Sequence, residues 1–301
     1  MTLHLKFFLL LISFSCLLQA RAADRKFEKQ FPAKPGETLS LRTEVGDVSI
    51  ISSDANEVSI VVELKGSVKD VEDFDISATE NGTGVEVLGR TKSLRWWSWS
   101  LDGLNVQYRI TVPKDYKVDL KTSGGDVSVQ DIRGGGHAET SGGDIKLLNI
   151  EGQMDAQTSG GNVVVDHLVG NLKAGTSGGD IMITATSGDV EAESSGGNIH
   201  IATVGGRVRA ETSGGDVMVS LSGPNKGIFA ESSGGDIEIL LGKDVGAYLE
   251  ASTTGGSVIC DLPVTMKGKL DDNEIRGSVN GGGELIHAET SGGDVMIKSS
   301  E

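Results

Sequence analysis

The residues that most resemble a metal-binding series are aspartates and asparagines that return at a fixed spacing after Gly-Gly pairs. They are Asp126, Asp144, Asn162, Asp180, Asn198, Asp216 and Asp236. Calcium-binding β-rolls use Gly-rich nonapeptides with a further Gly-x-Asp element, and that element is mostly missing here, as at Gln153, Asn171 and Arg207. Replacing Asp by Asn removes charge from a calcium site, whereas both side chains bond backbone N–H groups at tight turns. The series therefore predicts turns and no metal site.

Groups that could perform catalysis are sparse. His137, His167, His200 and His287 fall in separate parts of the sequence, without Ser/His/Asp or Cys/His spacing. The Gly-rich turns lack the Lys and the helix that follow a phosphate-binding loop. One set of residues, at equivalent positions of the repeat described below, carries carboxylates on the predicted outer surface. A polysaccharide-cutting β-helix enzyme clusters such groups in its groove, although a solvated face is the simpler interpretation of this set. The set is Glu139, Gln157, Gly175, Glu193, Glu211 and Glu231. We predict no catalytic residue, no cofactor and no enzyme activity.

The three tryptophans of the chain lie together in Arg95-Trp96-Trp97-Ser98-Trp99. One interpretation is a plug that packs over the open end of the core. A second is an exposed aromatic platform for a sugar or protein partner, because Trp and Arg are favoured at recognition hot spots; a third is contact with a membrane surface. Arg95, Trp96, Trp97 and Trp99 are therefore the candidate partner-binding residues.

A repeat positions these groups. T-S-G-G-D or a close variant returns every 18 residues and then at slightly longer intervals, which predicts a repeat architecture. The copies are Thr122–Asp126, Thr140–Asp144, Thr158–Asn162, Thr176–Asp180, Ser194–Asn198, Thr212–Asp216, Ser232–Asp236, Thr253–Ser257 and Thr290–Asp294. Each unit has two halves in which apolar and polar residues alternate, as in a half-buried strand. One unit therefore predicts strand, turn, strand, turn: one coil of a β-solenoid.

Stacked coils would pair each strand with the coils above and below it. The first predicted inward row is mostly β-branched: Val127, Ile145, Val163, Ile181, Ile199, Val217, Ile237, Val258 and Val295. The second is alanine: Ala138, Ala156, Ala174, Ala192, Ala210, Ala230, Ala251 and Ala288. Outside, Asp155, Lys173, Glu191 and Arg209 share one offset and alternate in sign, which favours an in-register ladder.

The chain divides into three predicted parts. Residues 1–22 have the features of a secretory signal peptide, with an apolar run at Phe7–Leu18 and an A-x-A site at Ala20–Ala22. Residues 23–120 are less regular and are predicted to be a β-rich N-terminal capping region, since an open coil exposes pairable edges. Residues 121–301 are the predicted solenoid.

Composition limits the partners. The formal net charge is −16 at pH 7, which argues against nucleic acid and against electrostatic docking on anionic lipid. We expect no transmembrane segment in the mature chain. Once the signal peptide is removed Cys260 stands alone, which precludes an intrachain disulfide and predicts a small core residue.

The signal peptide, the irregular β-rich start, the T-S-G-G-D-[VI]-x-[VI] units and the closing N-G-G-G…T-S-G-G-D-V-M-I together resemble a bacterial domain of unknown function for which adhesion is the proposed role. That family looks related to the auto-transporter adhesin-like head domains. The resemblance covers about residues 37–298. It implies a β-solenoid in the cell envelope or secreted, with adhesion as the proposed activity, and it brings no functional residues with it.

The predicted fold is all-β: a β-solenoid (β-helix) with coils of about 18 residues, two short strands to a coil, and an irregular β-rich N-terminal capping region. The predicted protein is exported, whether periplasmic, on the outer surface or secreted. It is expected to act as a non-enzymatic adhesin-like binding or scaffold module for an envelope glycan or protein. The alternative is a polysaccharide-binding or polysaccharide-degrading β-helix protein. The sequence leaves the oligomeric state open.

Overall fold

The computed structural model describes residues 22–92, 103–203, 206–266 and 272–300. Nearly all regular structure in these ranges is β-strand, with one short helix, α1 (Val68–Asp73). The strands are β1 (Ala22–Pro32), β2 (Thr38–Thr43), β3 (Asp47–Ser53), β4 (Glu57–Ser67), β5 (Phe74–Asn81), β6 (Gly84–Thr91), β7 (Asn105–Pro113), β8 (Lys117–Thr122), β9 (Val127–Gln130), β10 (Gly136–Thr140), β11 (Ile145–Glu151), β12 (Met154–Thr158), β13 (Val163–Val169), β14 (Leu172–Thr176), β15 (Ile181–Thr186), β16 (Val190–Ser194), β17 (Ile199–Thr203), β18 (Val208–Thr212), β19 (Val217–Leu221), β20 (Ile228–Ser232), β21 (Ile237–Leu241), β22 (Ala247–Thr253), β23 (Val258–Cys260), β24 (Val264–Thr265), β25 (Glu274–Val279), β26 (Leu285–Thr290) and β27 (Val295–Ser299).

The strands form two long sheets. Sheet A has 13 strands in the order β1-β4-β7-β3-β9-β11-β13-β15-β17-β19-β21-β27-β23. Sheet B has 14 strands in the order β24-β25-β22-β26-β20-β18-β16-β14-β12-β10-β8-β2-β6-β5. From β8 to β21 the chain alternates between the sheets, and each T-S-G-G-D turn leads from a strand of sheet B to one of sheet A. The predicted β-solenoid is confirmed.

The core lies between the two sheets and is built from aligned rows. In β12, β14 and β16, for example, Ala156, Ala174 and Ala192 stand directly opposite one another in a parallel register. Every member of the predicted β-branched row and of the predicted alanine row is buried. The alternation of apolar and polar residues fixed this register, because a slip by one residue would turn each buried side chain to solvent.

The stack departs from chain order at its C-terminal end. β26 lies between β20 and β22, and β27 lies between β21 and β23. The coil formed last in the sequence is thus inserted between the two coils that precede it. β22 then pairs antiparallel with β25, which pairs antiparallel with β24.

A similar insertion occurs at the N-terminal end. β2 pairs in parallel with both β6 and β8, and β3 pairs in parallel with both β7 and β9. Antiparallel strands then close the stack, with β4 and β1 beyond β7 and with β5 beyond β6. The core here contains the bulky side chains of Phe74, Tyr108 and Tyr116.

Buried phenols mark this N-terminal core. The Tyr108 hydroxyl bonds to Thr43 Oγ1 at 2.8 Å, and burial raises the pKa of Tyr108 to about 12. At the other end Cys260 packs against the core but is only half-buried, so the prediction of a core cysteine is confirmed in part. It lies on β23, at the edge of sheet A, and its partial burial raises the pKa of the thiol.

Within the described residues, no helix has the length and apolar character needed to span a membrane.

Candidate functional site

The hydroxyl groups of the repeated turns are buried and bond in two directions. Thr176 Oγ1 donates to the carbonyl of Gly161 in the preceding coil at 2.8 Å and accepts the N–H of Gly179 at 3.1 Å. The same pair of bonds is made by Thr140, Thr158, Ser194, Thr212, Ser232, Thr253 and Thr290. These hydroxyls therefore hold the stack together and are not available to a ligand.

The Asp/Asn series forms a second ladder at the same edge. Asn162 Oδ1 accepts the N–H of Asp180 at 2.8 Å, and Asp180 Oδ1 accepts the N–H of Asn198 at 2.7 Å. Each side chain thus bonds the backbone of the next coil, whereas the sequence indicated a partner near its own turn. Asp and Asn alternate freely because each bond needs one side-chain oxygen as acceptor. This edge, from the hydroxyl to the Asp or Asn of each turn, is called the turn edge below.

The second glycine of each turn is required by close stacking. A Cβ added at Gly143 would lie 2.1 Å from the carbonyl oxygen of Gly125, whereas one added at Gly142 would meet nothing within 4 Å. The backbones of successive turns therefore approach as closely as glycine allows. The turn edge therefore has a structural explanation at its hydroxyl, at its second glycine and at its Asp or Asn.

The outer face of sheet B has two rows of side chains that do not form such repeated bonds to the backbone of adjacent coils. The acidic row is Glu139, Gln157, Gly175, Glu193, Glu211, Glu231 and Glu289. The mixed row is His137, Asp155, Lys173, Glu191, Arg209, Phe229, His287 and Glu250. The predicted order of alternating charges from Asp155 to Arg209 is confirmed by the strand register.

A groove of about 610 Å³ follows the acidic row. Its walls include Glu193, Glu211, Glu231 and Glu289, together with the serines that follow the turn hydroxyls, such as Ser195. Drug-sized ligands usually bind in largely apolar pockets, whereas the surface of this groove is mostly polar. Its chemistry suits an elongated polar ligand that contacts several coils at once.

Ion pairs neutralise part of this face. Lys173 Nζ lies 2.8 Å from Glu191 Oε1, and this hydrogen bond lowers the pKa of Glu191 and raises that of Lys173. Lys121 lies 2.6 Å from Glu139 and likewise lowers the pKa of that carboxyl. The carboxylates of the acidic row beyond Gly175 are less well compensated, so the groove has a negative potential.

An aromatic stack adjoins the groove. The rings of Phe229 and His287 are stacked with their centres 4.9 Å apart, and the Arg209 guanidinium lies over the Phe229 ring at 4.4 Å. Arg209 also pairs with Glu211. The four histidines lie on four different strands, β10, β13, β17 and β26, as their scattered positions in the sequence suggested. The sequence did not indicate the surroundings of His287, which arise because the inserted β26 lies beside β20. The position of Ala288 in the alanine row could have predicted the register of β26 relative to the other coils. It could not have predicted which strands β26 pairs with.

The predicted partner-binding residues lie outside the described residues. Arg95, Trp96, Trp97 and Trp99 belong to the connection between β6 of sheet B and β7 of sheet A. Their interpretation as a plug or as a platform stays a prediction. Residues 1–21 of the predicted signal peptide also lie outside the described part of the chain.

Several solved structures are similar to this chain. A proposed adhesin from Parabacteroides merdae ATCC 43184 is 12% identical, with 92% of this chain and 97% of that chain covered and a TM-score of 0.47. A proposed adhesin (BF0245) from Bacteroides fragilis NCTC 9343 is 12% identical over the same shares, with a TM-score of 0.40. A proposed cell adhesion protein from Clostridium sporogenes ATCC 15579 is 15% identical, over 92% of this chain and 100% of that chain, with a TM-score of 0.22. Likenesses this distant do not assign an activity.

Comparison by sequence assigns a family, although no curated protein matches the chain significantly. The family model described as Toastrack DUF4097 matches residues 37–298, which include every strand from β2 to β26 and most of β27, but not β1. The expected relation to auto-transporter adhesin-like head domains stays a prediction. With most of its length matched, the chain belongs to the Toastrack DUF4097 family.

Proposed function

We propose that this protein is an exported β-solenoid of the cell envelope that acts as a non-enzymatic, adhesin-like binding or scaffold module. The observation that carries the proposal is the groove of about 610 Å³ along the acidic row of sheet B. It is an open polar surface assembled from successive coils. An elongated partner could therefore contact the same kinds of group at each step along it.

The choice of this face follows from the contrast with the turn edge. At the turn edge, hydroxyl and carboxylate oxygens bond backbone groups of neighbouring coils, as Thr176 and Asp180 do. Along the acidic row, Glu193 and Glu231 point to solvent and line the groove. Binding at the groove would leave the bonds that hold the coils together undisturbed.

The charge of the groove defines the partner. Carboxylates at successive coils repel nucleic acid and acidic polysaccharides, attract cationic groups and accept hydrogen bonds from neutral hydroxyls. Hydroxyl and carboxylate oxygens together can bond the hydroxyls of a sugar chain or the amines of a basic protein segment. We therefore infer a neutral or amino-bearing envelope glycan, or a protein segment of that charge, as the partner.

The tryptophan segment is a second candidate contact in the same proposal. Arg95, Trp96, Trp97 and Trp99 combine flat aromatic surface with a cationic guanidinium, a combination suited to stacking on sugar rings. Export rests on the predicted signal peptide of residues 1–22.

The alternative is a polysaccharide-degrading protein, and the same groove supports it because glycoside hydrolysis uses pairs of carboxyl groups. A binding module and an enzyme differ in turnover. A bound polysaccharide that releases new reducing ends would establish the alternative, and one that is bound without cleavage would support the binding module.

A glycan array tests the groove directly. The full chain is compared with a Glu193→Gln/Glu211→Gln variant and with a Glu57→Gln/Glu151→Gln control, which removes the same charge at exposed sites away from the groove. The groove variant should weaken binding about tenfold, or 1.4 kcal/mol, while the control binds as the wild type does. A Trp97→Ala/Trp99→Ala variant measures the contribution of the tryptophan segment. If wild type binds nothing, or if groove and control variants bind alike, the groove is not the binding surface.

A further inference from the structure

Three side chains with metal-binding groups converge where the inserted coil meets the acidic row. Glu231 on β20 stands directly opposite Glu289 on β26, and His287 lies two residues before Glu289 on the same outer face. One ligand atom from each of the three lies within 4.8 Å of the other two. No other such group of three occurs among the described residues. Glu231 and Glu289 are separated by 58 residues in the sequence and meet only because β26 pairs with β20.

The distances fit a first-row divalent ion. His287 Nε2 lies 3.8 Å from Glu231 Oε1 and 3.6 Å from Glu289 Oε2. A tetrahedral ion with bonds of about 2.0–2.1 Å separates its donor atoms by roughly 3.3–3.4 Å. Small side-chain movements would therefore bring the donors into coordination. We propose that Glu231, His287 and Glu289 form a binding site for a divalent transition-metal ion of the zinc class.

The surroundings of His287 support this assignment. Its second nitrogen, Nδ1, faces Glu250 Oε2 at 4.0 Å. Histidines that bind metals usually donate their other ring N–H to a carboxylate, which orients the ring and increases its basicity. The opposing Phe229 ring, stacked at 4.9 Å, restricts the same imidazole. The 4.0 Å separation between Nδ1 and Glu250 is longer than a hydrogen bond, but it places a carboxylate on the side of the ring where a metal-binding histidine donates its second N–H.

The charges around the triad also favour a cation. Glu231 and Glu289 are adjacent in the acidic row, and among the described residues neither has an ion pair with Lys or Arg. Like charges directly opposite on neighbouring strands are destabilising. A divalent ion would relieve that repulsion.

A second cluster, at β10 and β12 of the same sheet, combines similar side chains with a lysine that pairs with one of the carboxylates. His137 Nε2 lies 3.5 Å from Glu139 and Nδ1 lies 3.4 Å from Asp155, an arrangement of similar composition. There, however, Lys121 pairs with Glu139 at 2.6 Å and already supplies a positive charge. His137 is therefore a matched control for His287.

The donor set also selects among ions. One imidazole and two carboxylates suit zinc and its neighbours, whereas calcium prefers six to eight oxygen ligands. Three protein donors leave a position open towards solvent beside the groove, as in zinc sites that bind water or a further ligand. The site stands on this geometry and does not depend on the proposed function.

Isothermal titration of the full chain with ZnCl₂ tests the proposal. The wild type should bind one ion at this site. His287→Ala and the shape-preserving pair Glu231→Gln/Glu289→Gln should each weaken that binding at least about tenfold, and Glu250→Gln should weaken it about tenfold. His137→Ala should leave it unchanged, and excess CaCl₂ should not displace zinc.

The comparison of variants decides the result. Circular dichroism establishes that each variant is folded, and the Gln pair remains informative if loss of the Phe229 stack perturbs His287→Ala. The proposal is overturned if the wild type binds no zinc or if folded variants of the triad bind as the wild type does. It is also overturned if His137→Ala loses the same binding event.

Discussion

The turn edge and the outer face of sheet B are built from the same repeat, yet their side chains have opposite roles. At the turn edge, oxygens such as Thr176 Oγ1 and Asp180 Oδ1 bond the backbone of an adjacent coil. On the outer face, residues at one offset change from Glu to Gln to Gly, and their side chains contact solvent or each other.

The difference shows that the strongest sequence motif marks the most structural part of the molecule. T-S-G-G-D recurs because each of its bonds must be repeated at every coil. The residues of the outer rows vary because strand pairing uses backbone groups and does not depend on which side chains face outward. In a solenoid, therefore, function is to be sought where the repeat is relaxed. The predictions below test that division, from the largest expected effect to the smallest.

The largest effect is expected from Gly143→Ala. The new Cβ would meet the Gly125 carbonyl oxygen at 2.1 Å, which is backbone and cannot move aside without separating the coils. We expect a loss of about 3 kcal/mol of unfolding free energy, measured by urea denaturation. Gly142→Ala, one residue away and in open space, should change it by less than about 0.5 kcal/mol. Equal losses in the two variants would contradict close stacking at the turn edge.

A smaller effect is expected from Thr176→Val, which keeps the shape and removes the hydroxyl. The Gly161 carbonyl and the Gly179 N–H both lose their partner at a buried position. Leaving buried groups unbonded should cost about 1–3 kcal/mol. The neighbouring Ser177 is exposed, so Ser177→Ala serves as the control and should leave the unfolding midpoint nearly unchanged. A destabilised Ser177→Ala would mean that the groove serines are also structural.

Exchanges within the Asp/Asn ladder sharpen the comparison further. Asp180→Asn keeps the oxygen that accepts the Asn198 N–H and should alter stability by less than about 0.5 kcal/mol. Asp180→Ala removes that oxygen and should cost about 1 kcal/mol. Thermal unfolding of the metal-free wild type should give the same midpoint with and without excess calcium. A marked rise of Tm with calcium would show that the ladder binds the ion.

The smallest effect is expected on the outer face, at the pair Lys173–Glu191. Both side chains are largely exposed, so Glu191→Gln should cost only about 0–1 kcal/mol. Because Lys173 lowers the pKa of Glu191, the contribution is present above the ordinary carboxyl pKa of 4.5 and is lost as the pH falls through the lower folded value. A double-mutant cycle with Lys173→Met at pH 7 and at acidic pH measures it. A coupling that persists after protonation would show that the pair is not electrostatic.

Much of the solenoid could be predicted from sequence because its rules are local. The alternation around Ile145 and Ala156 determines which side chains are buried, and the T-S-G-G-D turns determine where each strand ends. The Asn81-Gly82 turn that joins β5 to β6 is likewise of a type that favours a hairpin. In the candidate groove, the acidic row could be predicted because its residues occupy the same position in successive repeats.

The order of the terminal coils was not readable. Coils with the same sequence pattern have equivalent strand edges. The repeat therefore does not show whether a coil pairs with the coil next to it in the sequence or with a coil further along the chain. The meeting of Glu231 with His287 and Glu289 depends on that choice. β1 was also missed: its long antiparallel pairing with β4 depends on a partner some 35 residues away in the sequence. Pairing over that distance leaves no local pattern beyond weak alternation.

The insertion of β26 and β27 has a consequence for biosynthesis. These strands leave the ribosome after every other described strand, yet their place lies between the coil of β20 and β21 and the coil of β22 and β23. The nascent chain therefore cannot wind up coil by coil in the order of its synthesis. The edges of β20 and β21 must be free of β22 and β23 when the final segment docks. During that interval the equivalent segment of a second nascent chain fits the same gap, which makes this junction the natural point for two molecules to exchange strands.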